Sequence, residues 1–393
     1  MRLSVLLFYI FCSIYTHAHV KIRADIANPY GGEASDFFSA VNYIPLQTTK
    51  ESTIGKIDRL VVTKDFYFIL DNISDAIYLF DRKGKYVKKI VMPGAFPTTN
   101  KEYLGISDFT VDENHKRIYL SHKNYIRNIF VFDFSGNFLK KIGEEIPMGF
   151  TFFSNKILLT RENPSNGGAY FVDTNVTRRK YLLPYIKHSF IMLSPYKSAN
   201  VVDKGERIVF TRLFDNKIYE ADTCGLIGHF EILFPAEYSL PANFSDSSFF
   251  NKQRNFLLTE NRKAIYSINN PYKTGSYLFF TISNSEHGSY KNFMTNIVTN
   301  KTFGFSKISP DALNNYLPLF QNFTSNILAS SSNSIFTAIP ASGLIEYYDR
   351  HKDKIKGRVT EDVFKPIHKA KKGVLENPVL IEVVFKEEFL NEK

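Results

Sequence analysis

The chain has 393 residues, 44% of them hydrophobic and 15% aromatic, with 37 Phe, 23 Tyr and no Trp. That much apolar surface can offset the entropy of ordering, which excludes disorder on a large scale, and two cysteines exclude a disulfide framework. A formal net charge of +10 favours an anionic partner.

Residues 1–18 read as a secretory signal. Arg2 supplies the positive start, Leu3 to Tyr15 is an apolar run of h-region length, and Thr16 and Ala18 place small residues before a cleavage point. The run is too short for a comfortable membrane span, and no second one follows. The mature chain, 19–393, is therefore expected outside the cytoplasm, in the periplasm, at the cell surface or secreted. Cys12 raises a lipid anchor, but Phe11 stands where a small residue is needed. Cys224, in the turn-like stretch DTCG, reads as a surface thiol. Export makes nucleic acid a poor partner; an acidic glycan, a peptide carboxylate or an envelope protein fits better.

Repeats follow. IGKIDRLVVTKDFYFILDNISDAIYLFDRKGKYVKKI (54–90) matches GISDFTVDENHKRIYLSHKNYIRNIFVFDFSGNFLKKI (105–142) element by element. Asp81 aligns with Asp133 and Gly84 with Gly136, each a step of 52. Asp can bond its own backbone two residues on, and Gly accepts the positive φ that closes a tight hairpin. With period-2 apolar patterning on both sides, each repeat predicts a four-stranded antiparallel meander. Weaker copies span 149–185, 199–234 and 256–305, the last read as KAIYSI, then SYLFFTI, then a strand near 302–305. A sixth starts at 326 with NILASS and SIFTAI.

Six such copies predict an all-β, six-bladed β-propeller. The sixth copy breaks off into a helical-looking stretch, about 344–372, whose basic runs RHKDKIKGR and HKAKK read as a solvated face. Pro378 then introduces the strand VLIEVVF (379–385). Its missing outer strand can come from AVNYIPL (40–46), so that N- and C-terminal strands close the ring around a helical insertion in the last blade.

The segments VNYIPLQTTKESTIGKIDRLVV, FILDNISDAIYLFDRKGKYVKKI, EYLGISDFTVDENHKRIYL and ENPVLIEVVF resemble an uncharacterised six-bladed propeller family abundant in Bacteroidetes, similar in shape to NHL and TolB-like propellers. The resemblance implies the fold and export, and no known reaction. One departure is PGAFPTTNKEY at 93–103, where such sequences carry a Gly-Pro-Gly-rich loop.

Propeller ligands sit by analogy at the channel mouth. The predicted second strands end at 71, 121, 160, 211, 267 and 337, and the residues that follow are Asn72, His122, Arg161, Arg212, Ile268 and Ala338. Three consecutive blades thus set His122, Arg161 and Arg212 side by side, where they either bind an anionic group or are simply solvated. Glu102 and Tyr103 lead into blade 2 on the same face. The long stretch 235–254 carries Tyr238, Phe244, Phe249 and Phe250, which either stack on sugar rings or pack as a lid. Asp58 and Asp108, near the starts of innermost strands, read as local turn formers, with a channel-lining role as the alternative.

HExxH, CxxC, Walker, EF-hand and GxSxG patterns do not occur. The histidines are scattered, so no metal site or cofactor is expected. The leading reading is a monomeric binding or scaffold module for glycan, peptide or partner protein. The alternative is a propeller lyase or hydrolase with its site at the mouth.

Overall fold

A computed structural model describes residues 18–91, 105–122, 129–142, 149–154, 156–161, 168–173, 179–184, 199–202, 207–320, 327–355, 363–367 and 375–389. The N-terminal segment supplies three strands, β1 (Ala18–Arg23), β2 (Tyr30–Glu33) and β3 (Phe38–Pro45). Blade 1 comprises β4 (Arg59–Val62), β5 (Phe66–Asp71), β6 (Ala76–Asp81) and β7 (Tyr86–Val91). Blade 2 holds β8 (Ile106–Asp112), β9 (Arg117–His122), β10 (Ile129–Asp133) and β11 (Phe138–Ile142). In blade 3 are β12 (Gly149–Phe153), β13 (Lys156–Arg161), β14 (Gly168–Asp173) and β15 (Arg179–Pro184). Blade 4 contains β16 (Ala199–Val202), β17 (Arg207–Phe210), β18 (Lys217–Asp222) and β19 (Gly225–Leu233). Blade 5 contains β20 (Ser267–Thr274), β21 (Tyr277–Asn284), β22 (Gly288–Asn296) and β23 (Thr302–Ser309). Blade 6 is β24 (Ala329–Ser330), β25 (Ser334–Ile339) and β26 (Val379–Phe385), completed by β3.

The first strand of each blade contacts the first strand of the next, and β24 returns to β4, which closes the ring. Period-2 alternation then dictates the core. Neighbouring residues on a strand face opposite neighbouring blades, so six apolar clusters form, one in each seam. Ile118 and Leu120 of β9 pack with Phe68 and Leu70 of blade 1, while Tyr119 between them packs with Ile157 and Tyr170 of blade 3. Fully burying such a side chain contributes about 1.5–3 kcal/mol, so stability is spread around the ring.

The expected closure is observed: β3 pairs antiparallel with β26, Tyr43 opposite Ile381. The remaining N-terminal strands do something the repeat pattern does not signal. β1 runs parallel along β19 on the outside of blade 4, and β2 parallel along β23 on the outside of blade 5. Residues 18–45 thus form a strap over the outer edges of blades 4 and 5 before completing blade 6.

Two expectations shift in position. The helix of the last blade, α1 (Ala341–His351), begins three residues earlier than the helical pattern suggests, buries Ala341, Leu344 and Ile345, and is followed by a helical turn at 363–367; much of the rest of the insertion lies outside the described residues. In blade 5, Ser267 opens the innermost strand and Tyr266 directly precedes it, instead of the two ending the second strand. Asn269, Asn270 and Pro271 look like a turn in sequence but form a bulge inside β20, with Asn270 at φ +48°.

Candidate functional site

The second strand of every blade runs in the same sense, so its end and the following loop lie on one face of the ring. Asn72 follows β5, His122 ends β9 opposite Ile106, Arg161 ends β13 opposite Gly168, and Arg212 lies two residues beyond β17. Three consecutive blades therefore carry a basic residue type at equivalent positions. Glu102 and Tyr103 lie outside the described residues. Ile268 belongs to β20, a consequence of the shifted blade 5, and Ala338 lies within β25 opposite Leu380.

Arg212 is held from three sides. Its Nε donates to Asp215 Oδ2 at 2.7 Å, Nη1 to the Pro184 carbonyl at 3.0 Å, and Nη2 to the Tyr219 hydroxyl at 3.1 Å. The Tyr219 hydroxyl itself donates to Asp215. Burial, then the Asp215 carboxylate, push the Tyr219 phenol well above its ordinary range, so it stays a donor. Three of the five guanidinium donors are thus committed within the protein, and the group is fixed in direction with its charge partly balanced by Asp215.

On blade 1, Asp58 Oδ2 accepts the Asn72 backbone N–H at 2.8 Å, and Asp71 Oδ2 accepts from Gly55 N at 3.0 Å. Asp58, read from sequence as a local turn former, instead ties the lead-in of the innermost strand to the loop after the second strand, 14 residues on. Asp108 does more. It accepts from its neighbour Phe109 N at 2.9 Å and also forms an ion pair with Arg59 across the seam between β4 and β8. Arg59 is 5% exposed, lies over the Phe109 ring, and its Nε is buried without a hydrogen-bond partner. Sequence reasoning missed this pair because the partners lie on different blades.

Two insertions rise on the same face. Residues 235–266, between β19 and β20, fold into short helical turns around Phe244, Leu257 and Tyr266, with Phe249 and Phe256 against them. Phe244 is 2% exposed, and buried Gln253 donates from Nε2 to its carbonyl at 2.8 Å. Phe244 and Phe249 therefore pack as a lid, and Tyr238 packs onto the seam of blades 4 and 5. The lid docks on the loop after Arg212 through Phe214 N donating to Tyr266 O at 2.7 Å. The second insertion, which begins with α1, replaces the corresponding loop of blade 6. Lid and helix thus stand beside blades 4–6, and the basic positions belong to blades 2–4. Among the described residues, no group of three or more His, Cys, Asp or Glu is placed to hold a metal ion.

Ring closure through the innermost strands and one apolar cluster per seam define a six-bladed β-propeller. Residues 18–383 match the model of a family described as a domain of unknown function, DUF4934, and the chain belongs to that family. Among solved structures it is similar to a Bacteroides fragilis protein whose given name classes it as exported, at 15% identity and a TM-score of 0.64, covering 94% of this chain and 100% of that one. It is also similar to a member of the DUF4221 family from Bacteroides vulgatus, at 11% identity and a TM-score of 0.47, covering 89% and 97%. The first of these likenesses shows the fold. No curated protein matches the chain. Among the described residues no helix is long and apolar enough to cross a membrane.

Proposed function

We propose that this chain is an exported binding module that takes an anionic group, a uronic acid of a glycan or a carboxylate of a peptide or partner protein, at the mouth beside blades 2–4. The observation that carries the reading is the recurrence of His122, Arg161 and Arg212 at equivalent positions, at or just beyond the ends of the second strands of three consecutive blades. A guanidinium offers a planar fork for carboxylate, and pre-fixing Arg212 lowers the ordering cost of binding. Export rests on the signal-like residues 1–18 and on the name of the similar Bacteroides fragilis protein.

The test is a thermal-shift titration with a galacturonic acid trimer against its methyl ester, on the wild type, Arg161→Ala and Arg212→Lys. A ligand that binds only the folded state raises the melting temperature by mass action. The expected result is a shift with the acid alone, reduced in Arg161→Ala. Equal shifts with acid and ester, or an undiminished shift in Arg161→Ala, would overturn the reading. Lysine at 212 keeps the charge and loses the fork, so it separates charge from geometry.

A further inference from the structure

The strap leaves the ring with two unlike halves. Blades 4 and 5 have their outer strands covered by β1 and β2, whereas β7, β11 and β15 are the outermost described strands of blades 1–3. Those three strands share a composition. Each carries an adjacent basic pair, Lys88-Lys89, Lys140-Lys141 and Arg179-Lys180, beside exposed apolar side chains such as Val87, Phe138 and Tyr181.

Edge lysines also discourage pairing with a foreign strand. Edge protection does not account for the pairs, however, because β3 is equally an outermost strand and holds no Lys or Arg. The pairs divide their work. Lys88 donates to the Ser135 carbonyl at 3.3 Å and Lys180 to the Cys224 carbonyl, so one lysine of each of these pairs ties its blade to the turn of the next. The other members stand out on the rim. Lys89 lies over the Tyr78 ring and Arg179 over Tyr170, while Lys141 sits opposite Phe130 in the register. The same arrangement, a cation held above an aromatic of the third strand, recurs on two of the blades, with a cation opposite an aromatic on the other.

We propose that this arc on the rim of blades 1–3 is a docking surface for a flexible acidic polysaccharide that wraps the ring. Charge complementarity selects a polyanion, and shape selects among polyanions. The rim turns by about 60° per blade in a six-bladed ring. A flat anionic membrane can therefore lie face-on against one blade edge only, whereas a flexible chain can follow all three. With strands about 4.8 Å apart, the outer strand lies roughly 20 Å from the axis, so neighbouring basic pairs are about 20 Å apart. A polymer that bridges two or three of them gains by multivalency, and apolar flanks and lysine stems suit the faces of sugar rings.

The site is separate from the mouth and does not depend on it. The test uses dextran sulfate as the acidic chain, uncharged dextran of the same backbone, and phosphatidylglycerol vesicles. It compares the full chain with the rim variant Lys89→Gln/Lys141→Gln/Arg179→Gln, which leaves Lys88 and Lys180 in place. A control variant, Lys252→Gln/Lys263→Gln/Lys301→Gln, removes the same charge elsewhere. Removing three weak ionic contacts lowers affinity by about tenfold or more. The expected result is that loss in the rim variant only, with affinity rising steeply once the chain exceeds about 20 Å and falling with salt. Equal losses in rim and control variants, absence of any length dependence, or binding to vesicles and not to dextran sulfate would each overturn the proposal. Arg161→Ala is expected to leave the length-dependent gain in dextran sulfate affinity in place, and the rim variant to leave the trimer shift unchanged, so failure at one site is read apart from failure at the other.

Discussion

Asn377 Oδ1 accepts the backbone N–H of Ile54 at 2.8 Å, across 323 residues of chain. Its Nδ2 donates to the Gln47 and Ser52 carbonyls at 2.9 and 2.7 Å, and its own N–H donates to Thr48 Oγ1 at 2.8 Å. One fully buried side chain thus organises the crossing from β3 to β4 at the seam where the ring closes. Both partners lie in segments that carry the family resemblance, LQTTKESTIGK and ENPV, so those motifs are two halves of one clasp.

Asn377→Ala removes three side-chain hydrogen bonds and strands the Ser52 carbonyl and the Ile54 N–H away from water, while the Gln47 carbonyl keeps the Ser52 hydroxyl as a donor. A cost of roughly 2–4 kcal/mol is expected, because unsatisfied buried groups keep their full desolvation penalty. Chemical denaturation measures it; a loss below about 0.5 kcal/mol would mean that the clasp is dispensable.

The repeated Asp-x-x-Gly turns separate two roles for glycine. Gly84 has φ +78° and Gly136 φ +83°, so both sit in left-handed backbone that an L side chain resists. A Cβ on Gly84 would fall 2.3 Å from the Pro45 carbonyl oxygen of β3, whereas on Gly136 its nearest neighbour would be Ile90 Cγ1 at 3.4 Å. Gly136→Ala is therefore expected to cost about 1–2 kcal/mol from backbone conformation alone. Gly84→Ala adds a backbone clash at the closing seam and is expected to cost clearly more. Equal melting-temperature losses in the two variants would contradict the close packing of the Gly84 turn on β3.

The strap contributes a pH dependence. His229 of β19 lies directly opposite His19 of β1, with ring centroids 4.4 Å apart. Burial first, then the charges of His19 and Lys217, hold His229 below the ordinary 6.5 of histidine, with Glu231 and Asp215 acting weakly in the opposite sense. A depressed histidine contributes stability that is present above its unfolded value and is lost as pH falls through the folded one. Protection of the β1 amides from hydrogen exchange is therefore expected to fall as pH drops below about 6.5, and His229→Gln to flatten that fall. An unchanged profile in His229→Gln would assign the effect elsewhere.

Blades 1 and 2 are legible in sequence because their turn chemistry and alternation are local: Asp81 and Asp133 each bond the backbone of their own turns. Blade 5 is misregistered because a compact insertion precedes it and a bulge inside β20 imitates a turn. The strap is silent because β1 and β2 are short, and their parallel partners lie about 200 residues or more away. At the mouth local grammar falls short: Asp58 bonds the loop after the second strand 14 residues on, and Arg59 and Asp108 form a pair that depends on how two blades pack.

That pair gives the last expectation. Asp108→Asn keeps the local turn but leaves the Arg59 guanidinium, 5% exposed, without its counter-charge, a change that costs about 3 kcal/mol when a buried pair is broken from one side. Removing both charges is far milder, since neither ion is then left uncompensated. Arg59→Met/Asp108→Asn is accordingly expected to recover at least half of the melting-temperature loss of Asp108→Asn. If the double variant is as unstable as the single one, Asp108 acts only as a turn former. Recovery instead identifies the pair as a tie between the innermost strands of blades 1 and 2, close beneath the face that carries Asn72 and His122.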